Sequence, residues 1–194
     1  MSIDKLIQSL PAGHFNRINV QFMLNILPSV NNVEGAYLEV GSLLGRSSVI
    51  IGAEAKKQNE KLYCIDLWDK DEWVKHRTKP ACPDDILGTF VNNTKSHGLL
   101  ETIVPIRGDS KNYVDKWTIP LRFIHIDGGH DYDPVFIDTG WKKYLSIGGI
   151  ICFHDYCDSA PGVIRAVNEE LVMDKDFVKI GIRHSLIAFK RIAC

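Results

Sequence analysis

Short apolar runs alternate with amphipathic stretches from Ala36 to Met173, and this alternation limits the possible folds more than any other feature of the chain. Ala36 to Val40, Lys61 to Asp66, Thr102 to Arg107, Arg122 to Asp127 and Gly149 to Phe153 read as strands. Ser47 to Lys57, Asp85 to His97 and about Pro134 to Leu145 carry helical periodicity between them. Pro161 to Met173 follows as a further helix, with Pro161 at its start, where a missing N–H costs little. Strands alternating with helices lie parallel in one sheet, with helices on both faces. Two more β-type runs, Phe177 to Ile182 and Ser185 to Phe189, end the chain with almost nothing between them. Parallel neighbours need a crossover of about a dozen residues or more, so the final strand pairs antiparallel or leaves the sheet. The expected fold is α/β, a doubly wound and mostly parallel seven-stranded sheet with an antiparallel C-terminal strand.

The 194 residues suit one domain, 1–194. Residues 1–33 form an expected helical cover. Leu6, Ile7 and Leu10 make one stripe and Phe22, Met23, Ile26 and Leu27 another, punctuated by Pro11 and Pro28. Residues 67–84 hold Trp68, Trp73, Pro80 and Pro83 and read as an irregular insert near the carboxyl edge of the sheet. A net charge of -1 offers no field for steering nucleic acid or an anionic membrane, so neither is expected as a partner. The five cysteines are odd in number and form no CxxC pair, which argues against a zinc cluster or a secreted disulfide framework. The start of the chain lacks a secretory pattern, and no apolar run approaches the roughly 20 residues that cross a bilayer. A cytoplasmic setting is expected, and self-association is left open.

Leu38-Glu-Val-Gly-Ser-Leu-Leu-Gly-Arg-Ser-Ser48 closes the first strand and opens the first helix of the alternation. Gly41 and Gly45 permit backbone angles and close approaches that a side chain would block. The helix start at Arg46-Ser47-Ser48 offers free N–H groups and a positive dipole end to a carboxylate or a phosphate. Leu43 breaks the G-x-G-x-x-G dinucleotide fingerprint, and no Lys follows Gly45 as a P-loop requires. Ligands of open α/β sheets bind beyond the carboxyl ends of the strands. Asp66 ends the second strand 25 positions after Gly41, where an acid can accept both ribose hydroxyls. Asp109 and Ser110 follow the third strand. Trp68 faces an adenine or simply packs on the sheet edge.

The most specific stretches are Phe123-Ile-His-Ile-Asp-Gly-Gly-His-Asp-Tyr132 and Gly148-Gly-Ile-Ile-Cys-Phe-His-Asp-Tyr156. Both are apolar strands ending in Asp and His. Neighbouring strand ends lie about 5 Å apart, so Asp127, His154 and Asp155 can converge on one point. Carboxylates and imidazole at that spacing suit a divalent cation. His130 lies in the loop above. The plainer reading of His130 is a helix cap or a loop hydrogen bond, and Asp131 or Asp133 can cap the helix near Pro134.

The run E-V-G-S-x-x-G-R-S-S resembles the first motif of class I methyltransferases, whose fold is Rossmann-like. With the two Asp/His motifs, the stretch from about Glu34 to Glu170 resembles the family of macrolide and aminocoumarin sugar O-methyltransferases and cephalosporin hydroxylase-like proteins. The resemblance implies S-adenosylmethionine as cofactor and a small hydroxylated acceptor as partner. It implies that the turn of Glu39, Gly41, Ser42, Gly45 and Ser47 lies under the methionine part. It further implies that Asp109 and Ser110 meet the adenine edge, with Asp66, Trp68 and Asp127 also lining the cofactor. His130 matches the base of some members. Asp127, His154 and Asp155 match the positions around a magnesium ion, although an acid is usual where His154 stands. Three other readings remain at this point: an NAD-dependent oxidoreductase, a metal-dependent hydrolase or oxygenase, and a non-catalytic cofactor-binding protein.

Overall fold

The structure is a computed structural model that describes residues 2–71 and 82–193, so Trp73, His76 and Pro80 of the expected insert lie outside the described residues. Seven strands form one sheet: β1 (Ala36–Val40), β2 (Leu62–Asp66), β3 (Ile103–Arg107), β4 (Leu121–Ile126), β5 (Leu145–Phe153), β6 (Phe177–Arg183) and β7 (Leu186–Arg191). Their order is β3-β2-β1-β4-β5-β7-β6. The first five pair in parallel, and β7 runs antiparallel to both β5 and β6. This is the doubly wound sheet expected from the alternation, with the antiparallel strand where the short final connection requires it.

The helices are α1 (Ile3–Ser9), α2 (Arg17–Ile26), α3 (Arg46–Lys57), α4 (Ile86–Ser96), α5 (Tyr132–Thr139) and α6 (Pro161–Val167). Local chemistry sets their starts. Asn16 caps α2 by accepting from the N–H groups of Ile18 and Asn19, and Asp85 caps α4 by accepting from Gly88. Three boundaries differ most from expectation, the ends of α5 and α6 and the start of β5. The helix expected to reach Leu145 ends at Thr139 and tightens into a 3-10 turn over Gly140–Tyr144, after which β5 begins at Leu145. Leu121 faces Leu145 while Phe123 faces Ile150, so β5 bulges between them, and Gly148 supplies the positive φ of 85°. The helix expected to reach Met173 gives way to a π turn over Asn168–Val172.

The sheet separates two cores. Tyr37, Phe123, Ile150 and Cys152 face one with the α1–α4 helices. Leu38, Ile124, Ile151 and Phe153 alternate onto the other, which α5 and α6 cover. Side chains as large as Trp141, Tyr37 and Phe153 are wholly buried, and each such burial contributes roughly 1.5–3 kcal/mol. A polar row interrupts the first core. Cys64, Glu39, His125 and Cys152 stand in register across β2, β1, β4 and β5. All four are fully buried.

Candidate active site

The chain turns from β1 outward to β2 and β3, then returns to place β4 on the other side of β1. Open sheets bind ligands beyond the strand ends at such a reversal. A crevice of about 550 Å³ opens there, lined by Ser42, Asp66, Asp109, Asp127, His130 and Asp155 among others. That size suits a small-molecule site.

The glycine turn forms one wall. Gly41 has φ 84°, and a Cβ on it would lie 2.1 Å from the Asp127 carbonyl. Its glycine is therefore required by the close passage of β4. Gly45, at φ 90°, is the left-handed residue before α3, and its missing Cβ makes room for Phe90. Ser42, Leu44, Arg46 and Ser47 line the crevice, whereas Gly45 and Glu39 stand behind it. Glu39 is fully buried, accepting from Ser48 and meeting His125 Nδ1 at 3.0 Å. It ties β1 to the first turn of α3 and to β4, and so holds the turn from beneath.

Asp66 is half-buried at the end of β2. Leu43 donates its N–H to Oδ2 at 2.8 Å and Trp68 to Oδ1 at 2.6 Å. Burial raises its pKa, and these backbone donors oppose the rise. Each carboxylate oxygen keeps a second lone pair for a ribose hydroxyl. Trp68 is 4% exposed, with its ring on Phe90 and its Nε1 donating to the Leu43 carbonyl. The ring thus packs inside the fold, and Trp68 also lines the crevice. Asp109 caps the short turn Ser110–Asn112 and pairs with Lys111 at 2.7 Å.

The strand-four and strand-five motifs do meet. His154 Nδ1 lies 3.0 Å from Asp127 Oδ1 and 3.1 Å from Asp155 Oδ2. His130 Nε2 lies 2.9 Å from the same Asp155 oxygen. Asp155 holds a positive φ of 53°, a strained angle for a side-chain-bearing residue that aims its carboxylate between the two imidazoles. Burial works against charge on His154, but the flanking Asp127 and Asp155 push it up to about 10. The hydrogen bond to Asp155 raises His130 as well. Burial alone would raise Asp155, but the bonds from His130 and His154 hold it well below the usual carboxylate range.

One ligand atom each from Asp127, His154 and Asp155 lies within 4.8 Å of the others, a donor set that fits a divalent cation. The far nitrogen of His154 is also held: Asn19 Nδ2 is 2.7 Å and Ser185 Oγ 3.2 Å from Nε2.

Several residues of the crevice were not singled out in the sequence. His14 and Phe15 line it from the N-terminal segment. Arg46 fastens that segment, with Nε donating to the Phe15 carbonyl and Nη1 to the Pro11 carbonyl, each at 2.7 Å. Asp138 lines it from α5, 2% exposed and with Oδ1 unpartnered. Burial pushes Asp138 up to about 7, and Ser110 and Trp141 nearby offset only part of that. Asp138 stands three positions after Val135 and three before Trp141, both buried, so helical spacing puts it on the core face, which is the signal that could have found it.

Residues 38–156 match a family described as a methyltransferase domain, well over half of the chain. The chain belongs to that methyltransferase family, and its sheet is that of the class I enzymes that use S-adenosylmethionine. Among solved structures, the O-methyltransferase NovP superposes with a TM-score of 0.79 at 18% identity, covering 98% of each chain. TomG from Streptomyces achromogenes, an O-methyltransferase solved in complex with SAM, gives 0.71 at 14% identity over 98% of this chain and 89% of its own. The calicheamicin methyltransferase CalS11 gives 0.68 at 16%, over 97% and 89%.

Proposed function

We propose that the protein transfers a methyl group from S-adenosylmethionine to a hydroxyl of a small molecule, with a sugar as the favoured acceptor. The observation that carries this reading is one crevice that holds both the α3 start with Asp66 and the paired His130 and Asp155. The sugar is favoured because CalS11 is described as a TDP-rhamnose 3'-O-methyltransferase. The cofactor supplies an electrophilic methyl group on a sulfonium. The free N–H groups at the α3 start receive its carboxylate. Asp66 accepts from the ribose hydroxyls, and Asp109 with Ser110 borders the adenine. His130, made more basic by Asp155, takes the proton of the acceptor hydroxyl. Asp127, His154 and Asp155 would hold a divalent cation, Mg2+ or another, whose chemistry is to lower the pKa of a hydroxyl beside it. A cytoplasmic setting without nucleic-acid or membrane partners completes the reading. Among the described residues, no helix is long and apolar enough to cross a membrane.

The test pairs binding with turnover. S-adenosylmethionine should bind in isothermal titration, and a panel of nucleotide sugars and catechols should reveal a methylated product by mass spectrometry. His130→Ala should cut turnover by about 10²–10⁴-fold and leave cofactor affinity nearly intact. Turnover preserved within a few-fold would remove His130 as the base. Failure to bind S-adenosylmethionine would remove the reading itself.

A further inference from the structure

Asp138 is a buried acid that nothing else in the fold accounts for. It stands on α5 at 2% exposure and lines the crevice between two loops. One is the turn after β3, which the cofactor reading puts beside the adenine, and whose Asp109 and Ser110 lie close enough to act on its charge. The other is the end of β4, where a Cβ on Gly128 would stand 3.6 Å from Oδ2. The Oδ1 of Asp138 has no hydrogen-bond partner. Burial pushes the carboxyl up to about 7, and the nearby Ser110 and Trp141 offset only part of that cost. Native folds rarely leave a buried acceptor without a partner, because the orphaned group is destabilising. An apolar side chain of similar size would fill the same space without that cost. A partner that arrives with the ligand removes it.

The acid that the resemblance offers for the adenine edge is already engaged. Asp109 Oδ1 accepts from the Lys111 N–H at 3.1 Å, and Oδ2 pairs with Lys111 Nζ at 2.7 Å. Asp138 brings an unpartnered carboxyl oxygen to the same end of the crevice. Adenine carries one exocyclic amino group, which donates. A carboxyl group accepts from it whether ionised or neutral, since the carbonyl oxygen of the neutral form also accepts. A keto oxygen in place of the amino group sets acceptor against acceptor once the carboxyl is ionised. We propose that Asp138 accepts a hydrogen bond from the exocyclic amino group of the cofactor's adenine and so selects adenine over a keto purine. The proposal rests on the reading that the crevice binds S-adenosylmethionine, and it names the side chain that reads the base.

The experiment measures binding to the full chain by isothermal titration at pH 8, where the carboxyl is ionised. The two probes are S-adenosylhomocysteine and S-inosylhomocysteine, in which a keto oxygen replaces the amino group. The wild type should prefer the adenosyl compound by about 10–100-fold, the worth of a hydrogen bond to a charged group. Asp138→Ala should bring the ratio to within a few-fold by weakening the adenosyl compound alone. Asp138→Asn, nearly isosteric, keeps the packing and adds a donor that suits the keto oxygen. It should narrow the ratio by tightening the inosyl compound, and it keeps the test decisive if Asp138→Ala fails to fold. A purely structural role would weaken both compounds together and leave the ratio at its wild-type value, which would overturn the proposal. A ratio that collapses in Asp109→Ala but survives in both Asp138 variants would overturn it too, as would equal binding of the two compounds by the wild type. Failure of the wild type to bind S-adenosylhomocysteine would overturn the cofactor reading beneath it.

Discussion

Asp138 is the residue whose chemistry departs furthest from its sequence appearance. Its carboxyl titrates near 7 because the fold buries it beside the crevice with one oxygen unpartnered. An unfolded aspartate loses its proton near pH 4, so between about pH 4 and 7 the folded state holds a proton that the unfolded state has released. This contribution is fully present below about pH 4 and is lost as pH rises through the folded pKa. Asp138→Asn should therefore flatten the fall in melting temperature between pH 5 and pH 8, with the variant more stable than the wild type at the upper end. An unchanged slope in calorimetric melts would mean that Asp138 is already ionised at pH 5. At this scale the sequence was partly legible. Asp127, His130, His154 and Asp155 sit at strand ends, where topology alone aims them together, and the structure joins them by three contacts of about 3 Å. Asn19 and Ser185 were not legible, because they reach His154 from 135 and 31 positions away and from elements with no motif of their own. Glu39 carried a signal at the right place, and its side chain turned out to face the buried row rather than the crevice.

Among the elements, the turn from β1 to α3 bears the heaviest constraint, and its two glycines differ in kind. A methyl group on Gly41 meets backbone, the Asp127 carbonyl at 2.1 Å, whereas one on Gly45 meets the Phe90 ring at 3.2 Å. Backbone of a central strand cannot step aside as a ring can. Both positions also lie at positive φ, which costs a side-chain-bearing residue about 1–2 kcal/mol. Gly41→Ala should lower the urea midpoint markedly more than Gly45→Ala, and it should displace Asp127 enough to weaken any cation binding. Equal midpoints would show that β4 yields at that contact. The elements themselves were largely readable, since periods of 2 and 3.6 are local properties of the chain. The start of β5 was not. Ser146-Ile-Gly-Gly149 has the composition of a turn, and only pairing with Leu121 across the bulge makes it strand.

At the scale of the whole molecule, the parallel run of strands and the antiparallel β7 followed from connection lengths, while the strand order and the position of the N-terminal segment did not. Residues 12–15 lie in the crevice wall, and Arg46 at the head of α3 clasps the Pro11 and Phe15 carbonyls. One guanidinium thus joins the front of the chain to the helix start that receives the ligand. Arg17 lies two residues beyond the clasped Phe15, and trypsin cleavage after it should require the clasp to open. A ligand at 100 times its Kd that binds only the closed form suppresses opening by about 2.7 kcal/mol. Cleavage should then slow by roughly 100-fold where opening is rapid and cutting is slow. S-adenosylhomocysteine should give that protection in the wild type. Arg46→Lys should lose much of it, because an ammonium cannot span two carbonyls as the planar fork does. Cuts before residue 18 that proceed at the same rate with and without ligand would break the link. Where protection holds, the leading seventeen residues serve as a built-in gauge of occupancy, readable on a gel for any compound that fills the crevice, with no knowledge of the acceptor.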